Sequence, residues 1–253
     1  MSSVVFAQFS DSHLYGDKSA MHFGQNVYQN LLRVLAQIGE DGDMQFAIFS
    51  GDLSQDHSKQ SYRNFVQAVE ESKINIPIYW LAGNHDSLRY MENLLTHRLI
   101  CHDKDIEIQG LQLILLNSKS DTPAGFVRPT ELERLAHVSK PTLVMMHHHA
   151  IPVNYFIDRH GLLNREEFWH AVNIQDKVIG VACGHIHRGI TIAPGVQNKA
   201  PLYGCPATSI QFDPEFDGVK ALPEGPAYRK FCFQNTQLTT EIKRLSFDGD
   251  RVS

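Results

Sequence analysis

Short apolar runs alternate along the chain with stretches of helical period. Residues 4–10 form an apolar run closing on Asp11-Ser12-His13, as in a buried strand entering a loop. Across residues 25–38, Val27, Leu31, Val34, Leu35 and Ile38 keep the spacing of one helix face. A strand at 45–50 ends at Gly51-Asp52, and a helix over 59–72 turns Tyr62, Phe65, Val66 and Val69 to one side. A third strand, 77–82, ends at Gly83-Asn84-His85-Asp86, ahead of a short helix over 88–95. This β-α-β-α-β rhythm predicts an α/β fold with parallel strands and right-handed crossovers.

The second half repeats the theme less regularly. A hairpin is expected from 106–108 and 111–117, then a helix over 131–138 with Thr130 and Glu133 as its capping box. Thr142–Met146 reads as a strand ending in His147-His148-His149, and 166–172 as a helix with Asn164 as candidate cap. Val178–Cys183 is a strand ending at Gly184-His185-Ile186-His187. Beyond it, 190–193, Leu202–Gly204, 230–233 and 239–245 suggest β-hairpins, and the Pro-, Gly- and acid-rich 213–226 a loop. No repeat or linker divides the chain, so one domain over 1–253 is expected, with a C-terminal hairpin region from 188.

Five apolar strands thus end in loops that carry Asp, Asn or His. In open α/β sheets ligands bind at the carboxyl ends of strands, where such loops converge. Asp11, His13, Asp52, Asn84, His147, His185 and His187 offer mixed nitrogen and oxygen donors, which suit divalent transition ions. Seven ligands exceed the four of one tetrahedral ion, but fit two ions sharing the Asp52 carboxylate. Two ions about 3.5–4 Å apart hold a hydroxide and clamp a phosphoryl group for in-line attack. His85 is free to protonate a leaving oxygen, with Asp86 expected to fix its tautomer. His148 or His149 offers the same imidazole as His147, which is preferred because it comes first after the strand.

Composition narrows the functions further. With a net charge of -5, the chain lacks the basic surface that grips nucleic acid non-specifically. No apolar run spans a membrane, and the N-terminus does not resemble a signal peptide. Four scattered cysteines suggest reduced thiols and a cytoplasmic protein. His22, His57, His97, His102, His137, His160 and His170 read as surface residues.

The ordered blocks D-x-H, G-D, G-N-H-D, a strand-borne His and G-H-x-H resemble the calcineurin-like metallophosphoesterase superfamily. That resemblance implies a four-layer α/β/β/α sandwich with two mixed sheets. It also implies one ion on Asp11, His13, Asp52 and His187, and a second on Asp52, Asn84, His147 and His185. Leu14 after the first block, Gly51-Asp-Leu-Ser-Gln-Asp56, the triple histidine with Pro152, and residues 206–212 are similar to the class III bacterial 3′,5′-cyclic-AMP phosphodiesterases. Ser12 departs from the threonine common there, with no ligand lost. The resemblance implies hydrolysis of cyclic AMP to 5′-AMP, with iron and manganese as the ions and zinc, cobalt or nickel as alternatives. The expected partner is therefore a small phosphodiester, with a homodimer as a further option. Leu14, Tyr15, Asn117, His148 and Thr208 in the 206–212 loop are the candidates to meet base or ribose. The rival readings are another small diester, such as a glycerophosphodiester, and a catalytically silent scaffold of the same fold.

Overall fold

The computed structural model describes residues 3–246. In chain order the elements are β1 (Val4–Phe9), β2 (Met21–His22), β3 (Gln25–Asn26), α1 (Val27–Glu40), β4 (Phe46–Phe49), α2 (Lys59–Glu71), β5 (Ile78–Trp80), α3 (Leu88–Leu94) and β6 (Ile100–Cys101). The second half comprises β7 (Asp105–Ile108), β8 (Leu111–Leu115), α4 (Pro129–Glu133), β9 (Thr142–Met146), α5 (Arg165–Asn173), β10 (Val178–Cys183), β11 (Ile190–Ile192), β12 (Leu202–Gly204), β13 (Ala227–Gln234) and β14 (Gln237–Arg244).

Two six-stranded sheets result, ordered β14-β13-β1-β4-β5-β6 and β11-β12-β10-β9-β8-β7. Both are mixed. β1, β4, β5 and β6 run parallel, as do β8, β9, β10 and β12, with antiparallel neighbours outside them. The tail is therefore no appendage, because β13 and β14 complete the first sheet while β11 and β12 complete the second.

Strand alternation builds the layers, since successive side chains leave opposite faces. In β1, Val4 and Phe6 enter a slab between the sheets with Phe46 and Ile48 of β4 and Leu143 and Met145 of β9. Val5, Ala7 and Phe9 point the other way, against Leu31, Leu35 and Ile38 of α1 and Phe65 and Val69 of α2. On the far side, Val144 and Met146 of β9 pack with Phe168 and Val172 of α5. Three apolar slabs separate four layers, helices outside and sheets within, so the fold is the expected α/β/β/α sandwich.

Three local expectations need correction. The first helix begins at Val27, where the Asn26 side chain accepts from the Gln29 amide; 25 and 26 pair as β3 instead. The capping box at Thr130 does not form. Pro129, which lacks the amide a cap would satisfy, starts α4 two residues earlier behind Arg128, and the helix tightens to 3-10 over Arg134–His137. Asn164 stands at the start of α5, but its amide is spent on the Val127 backbone, accepting at 3.1 Å and donating at 2.8 Å.

Candidate metal centre

The loops after β1, β4, β5, β9 and β10 converge between the upper edges of the two sheets. Asp11, His13, Asp52, His147, His185 and His187 are all buried there. Asp11, His13, Asp52, His185 and His187 hold left-handed backbone, with φ of 56°, 46°, 56°, 66° and 50°. Non-glycine residues pay about 1–2 kcal/mol each for that region, so five at one place mark a conformation imposed by the surroundings. Gly51, at φ 97°, is needed for a second reason: a Cβ there would lie 2.5 Å from the Gly83 amide nitrogen and 2.7 Å from His147 Nδ1.

Every candidate imidazole is oriented by an oxygen on its outer side. His147 Nδ1 donates to the Ser50 carbonyl at 2.8 Å, and His187 Nδ1 to the Ile210 carbonyl at 2.8 Å. His13 Nδ1 donates to Gln55 Oε1 at 2.7 Å, and His185 Nε2 to the His160 carbonyl at 3.1 Å. A neutral ring that donates from one nitrogen presents a lone pair at the other. Those lone pairs face one another: His13 Nε2 and His187 Nε2 are 3.2 Å apart, and His147 Nε2 and His185 Nδ1 are also 3.2 Å apart. Asn84 Oδ1 stands 3.1 Å from His147 Nε2, and Asp11 Oδ1 3.4 Å from His187 Nε2. Asp52 lies at the middle. Its Oδ1 accepts the His85 amide at 2.9 Å, leaving Oδ2 at 3.3 Å from His147 Nε2 and 3.8 Å from His13 Nε2.

Acceptors facing acceptors in a dry site repel unless a cation lies between them. The electrostatics carry the same demand. Burial pushes the Asp52 carboxyl up, yet His147, His85 and His13 pull it well below the usual carboxylate range. Burial likewise works against Asp11, but His187 holds it low. Burial alone would depress His147; the Asp52 charge lifts it to about 9, so without an ion this ring keeps a proton toward Asp52, and an ion taking that proton's place leaves Nε2 its lone pair. His13 is pushed down to about 3 by burial and by His187, and burial with neighbouring imidazoles depresses His185 strongly. The donor set of carboxylate, amide oxygen and imidazole therefore fits divalent transition ions.

The residues expected around this centre divide sharply. Asp86 does not reach the His85 ring. Its Oδ2 accepts the Gly83 amide at 2.9 Å, and its Oδ1 those of Leu53 at 2.9 Å and Ser54 at 3.3 Å, so it ties two ligand loops together. Burial and the adjacent Asp52 charge raise it to about 7. Leu14, His148 and Thr208 are each 0% exposed, too deep to contact base or ribose. Leu14 belongs to the core under α1. Both nitrogens of His148 are spent, Nδ1 on Ser118 Oγ at 2.8 Å and Nε2 on the Pro123 carbonyl at 3.2 Å, so His147 alone of the two has a ring nitrogen free beside Asp52. The 206–212 segment works from beneath. The Thr208 amide donates to the Ser10 carbonyl, Ser209 Oγ to that of Asp11, and Phe212 stacks on His187 at 3.9 Å. Asn117 holds its own loop, accepting from the Lys119 amide at 3.0 Å.

His22 and His57, taken as surface residues, border the centre. The His22 ring stacks on His13 at 5.5 Å and bonds Tyr15 Oη at 3.0 Å; His57 Nδ1 donates to the His85 carbonyl at 2.9 Å. Neither sits in a ligand block, and no spacing in the sequence points to them.

A family model described as calcineurin-like phosphoesterase matches residues 4–189. A probable cyclic nucleotide phosphodiesterase of Colwellia psychrerythraea is 45% identical over 250 residues, covering 96% of this chain and 95% of that protein. A Vibrio vulnificus protein named as a 3′,5′-cyclic adenosine monophosphate phosphodiesterase is 28% identical over 254 residues, with coverage of 96% and 91%. Among solved structures, a dimetal phosphatase from Danio rerio superposes with a TM-score of 0.70 at 11% identity, over 95% of this chain and 96% of that one, which marks a shared fold. The chain belongs to the calcineurin-like phosphoesterase family, which works with a dinuclear metal centre.

Proposed function

We propose that the chain hydrolyses 3′,5′-cyclic AMP to 5′-AMP. The observation that carries this reading is the reach of the likeness. The family model ends at residue 189, whereas the relatives named as cyclic nucleotide phosphodiesterases match 96% of the chain. That longer match takes in the tail whose 206–212 segment supports Asp11 and His187. A cytoplasmic site of action belongs to the same proposal, supported by four unpaired cysteines.

One ion is assigned to Asp11, His13, Asp52 and His187, and a second to Asp52, Asn84, His147 and His185. Iron and manganese are the proposed metals, and zinc, cobalt or nickel suit the same donors. When bound, such a pair supplies charge neutralisation at the phosphoryl group and a hydroxide nucleophile near neutral pH. The remaining work falls to the chain itself. The His85 amide fixes Asp52, while its ring packs edge-on to His13 at 5.0 Å with Nδ1 buried and unpartnered. Burial lowers its pKa, with Asp52 opposing, so the resting ring is neutral. A phosphodiester anion arriving beside it favours the protonated form, and that proton passes to the leaving 3′ oxygen.

The test is turnover of cyclic AMP by purified protein with Mn²⁺ and, separately, with chelator, beside bis(p-nitrophenyl) phosphate. Metal-dependent release of 5′-AMP supports the reading. Cleavage of the aryl diester alone would replace cyclic AMP with another small diester, and inactivity on both would leave a silent scaffold.

A further inference from the structure

On the function proposed above the centre receives an anion, and beside it stands one lysine that makes no ion pair among the described residues. Lys119 lies half-buried on the loop between β8 and α4. Its Nζ donates to the Asn84 carbonyl at 2.7 Å, one residue from the proposed proton donor, and it forms no ion pair among the described residues. With His57, Asn84, His85 and residues 120–123 it lines a cavity of about 490 Å³. That volume lies within the range of small-molecule sites, about 300–1,000 Å³. Asp121, the carboxylate on the same wall, does not pair with the lysine.

The loop that carries Lys119 is held in place before any ligand arrives. His148, beneath it, bonds Ser118 Oγ at 2.8 Å on one side of the lysine and the Pro123 carbonyl at 3.2 Å on the other. Asn117 Oδ1 accepts the Lys119 amide at 3.0 Å, and the Asn117 amide in turn donates to Glu131 at 3.1 Å. A charge placed this way gives up little freedom on binding. As a mere strut for Asn84, an ammonium is a poor choice: the carbonyl takes one of its three donors and makes no use of its full charge. An anion in the cavity uses both the remaining donors and the charge.

We propose that Lys119 binds the phosphodiester anion of the substrate over Asn84 and His85. The proposal deepens the cyclic-nucleotide reading and rests on it for the natural substrate, but not for the contact itself.

Lys119→Met and Lys119→Arg are compared with the parent on cyclic AMP and on bis(p-nitrophenyl) phosphate, both monoanions, at rising ionic strength. Affinity of the Mn²⁺-loaded proteins for inorganic phosphate is measured calorimetrically, which needs no turnover. Lys119→Met is expected to raise KM for both diesters and Kd for phosphate by about tenfold or more, at unchanged metal content and melting temperature. It should also flatten the salt dependence of kcat/KM, and Lys119→Arg should restore most of each loss. Unchanged KM, phosphate affinity and salt dependence would overturn the proposal, as would a fall in kcat that tracks lost metal. If cyclic AMP is not turned over but the aryl diester and phosphate respond as expected, the substrate reading fails and the Lys119 contact stands.

Discussion

Single residues decide the chemistry here through the direction in which each side chain leaves the backbone. Asp11 and His13, like His185 and His187, alternate with Ser12 and Ile186, whose side chains are fully buried away from the centre. The convergence of these blocks was legible because residue types able to hold a metal stand at close spacing after apolar strands. The specificity residues were not. Leu14 and His148 border proposed ligands in sequence, and adjacency along the chain sends neighbouring side chains to opposite sides, whereas Thr208 lies far along the chain and turns its backbone amide to Ser10. For His85, replacement by Ala should keep both ions and cost roughly 10²–10⁴-fold in turnover of cyclic AMP, with a smaller loss on the aryl diester, whose leaving group needs little protonation. Equal losses on the two substrates would remove His85 from the acid role. Lys104 gives a test away from the centre. Its Nζ lies 3.3 Å from the centroid of the Trp80 ring and donates to the Trp80 carbonyl at 2.5 Å. Burial pushes this ammonium down to about 7, against Asp103 and Glu92, from an ordinary value of 10.5. Between those values the unfolded chain binds more protons than the folded one, so stability rises with pH across that window. Lys104→Met should abolish the rise and gain on the order of 1–2 kcal/mol below about pH 7. Melting temperatures of parent and variant across the window check this, and parallel slopes would contradict it.

At the scale of elements, the strands were readable and their ends were readable only in part. Apolar runs such as Phe46–Phe49 and Thr142–Met146 are buried throughout, so composition located them to within a residue or two. Which strands pair was not legible. Nothing local places β13 beside β1, because that pairing joins residues more than 220 apart in the chain, such as Val5 and Cys232. The loops after the strands are fixed by contacts between them, and Gly83 shows how tightly. A Cβ at that position would fall 2.1 Å from Asp52 Oδ1 and 2.5 Å from the Asp52 amide nitrogen, so the loop after β5 rests directly on the loop after β4. Gly83→Ala must displace Asp52 or itself. It is expected to lower metal content below two ions per chain and turnover by at least about 10–100-fold, while circular dichroism stays that of the folded protein. Full metal loading with parental turnover would show that the loops do not fix each other.

Across the whole molecule, two polar junctions join the sheets besides the apolar slab: buried Arg229 of β13, which donates to the Gly204 carbonyl at 2.9 Å and the Ile190 carbonyl at 2.6 Å, and the centre. Asp11, His13, Asp52 and Asn84 follow β1, β4 and β5 of the first sheet, whereas His147, His185 and His187 follow β9 and β10 of the second. The slab between the sheets is apolar, built from residues such as Phe6, Leu113 and Phe231, and confers no direction at its upper edge. Each proposed ion would take ligands from both sheets, so binding one ties the sheets together where the acceptors otherwise repel. A ligand that binds only the folded state stabilises it by about 2.7 kcal/mol at a hundredfold excess over Kd. For a chain of this size that corresponds to roughly 5–10 °C in melting temperature per ion. Chelation should therefore lower the melting temperature by at least that amount, and Mn²⁺ should restore it. Asp52→Ala, lacking the carboxylate both ions share, should melt at one temperature with or without metal. If chelator strips the ions from the parent and its melting temperature holds, the centre serves the chemistry alone and the sheets are held by the apolar slab and Arg229.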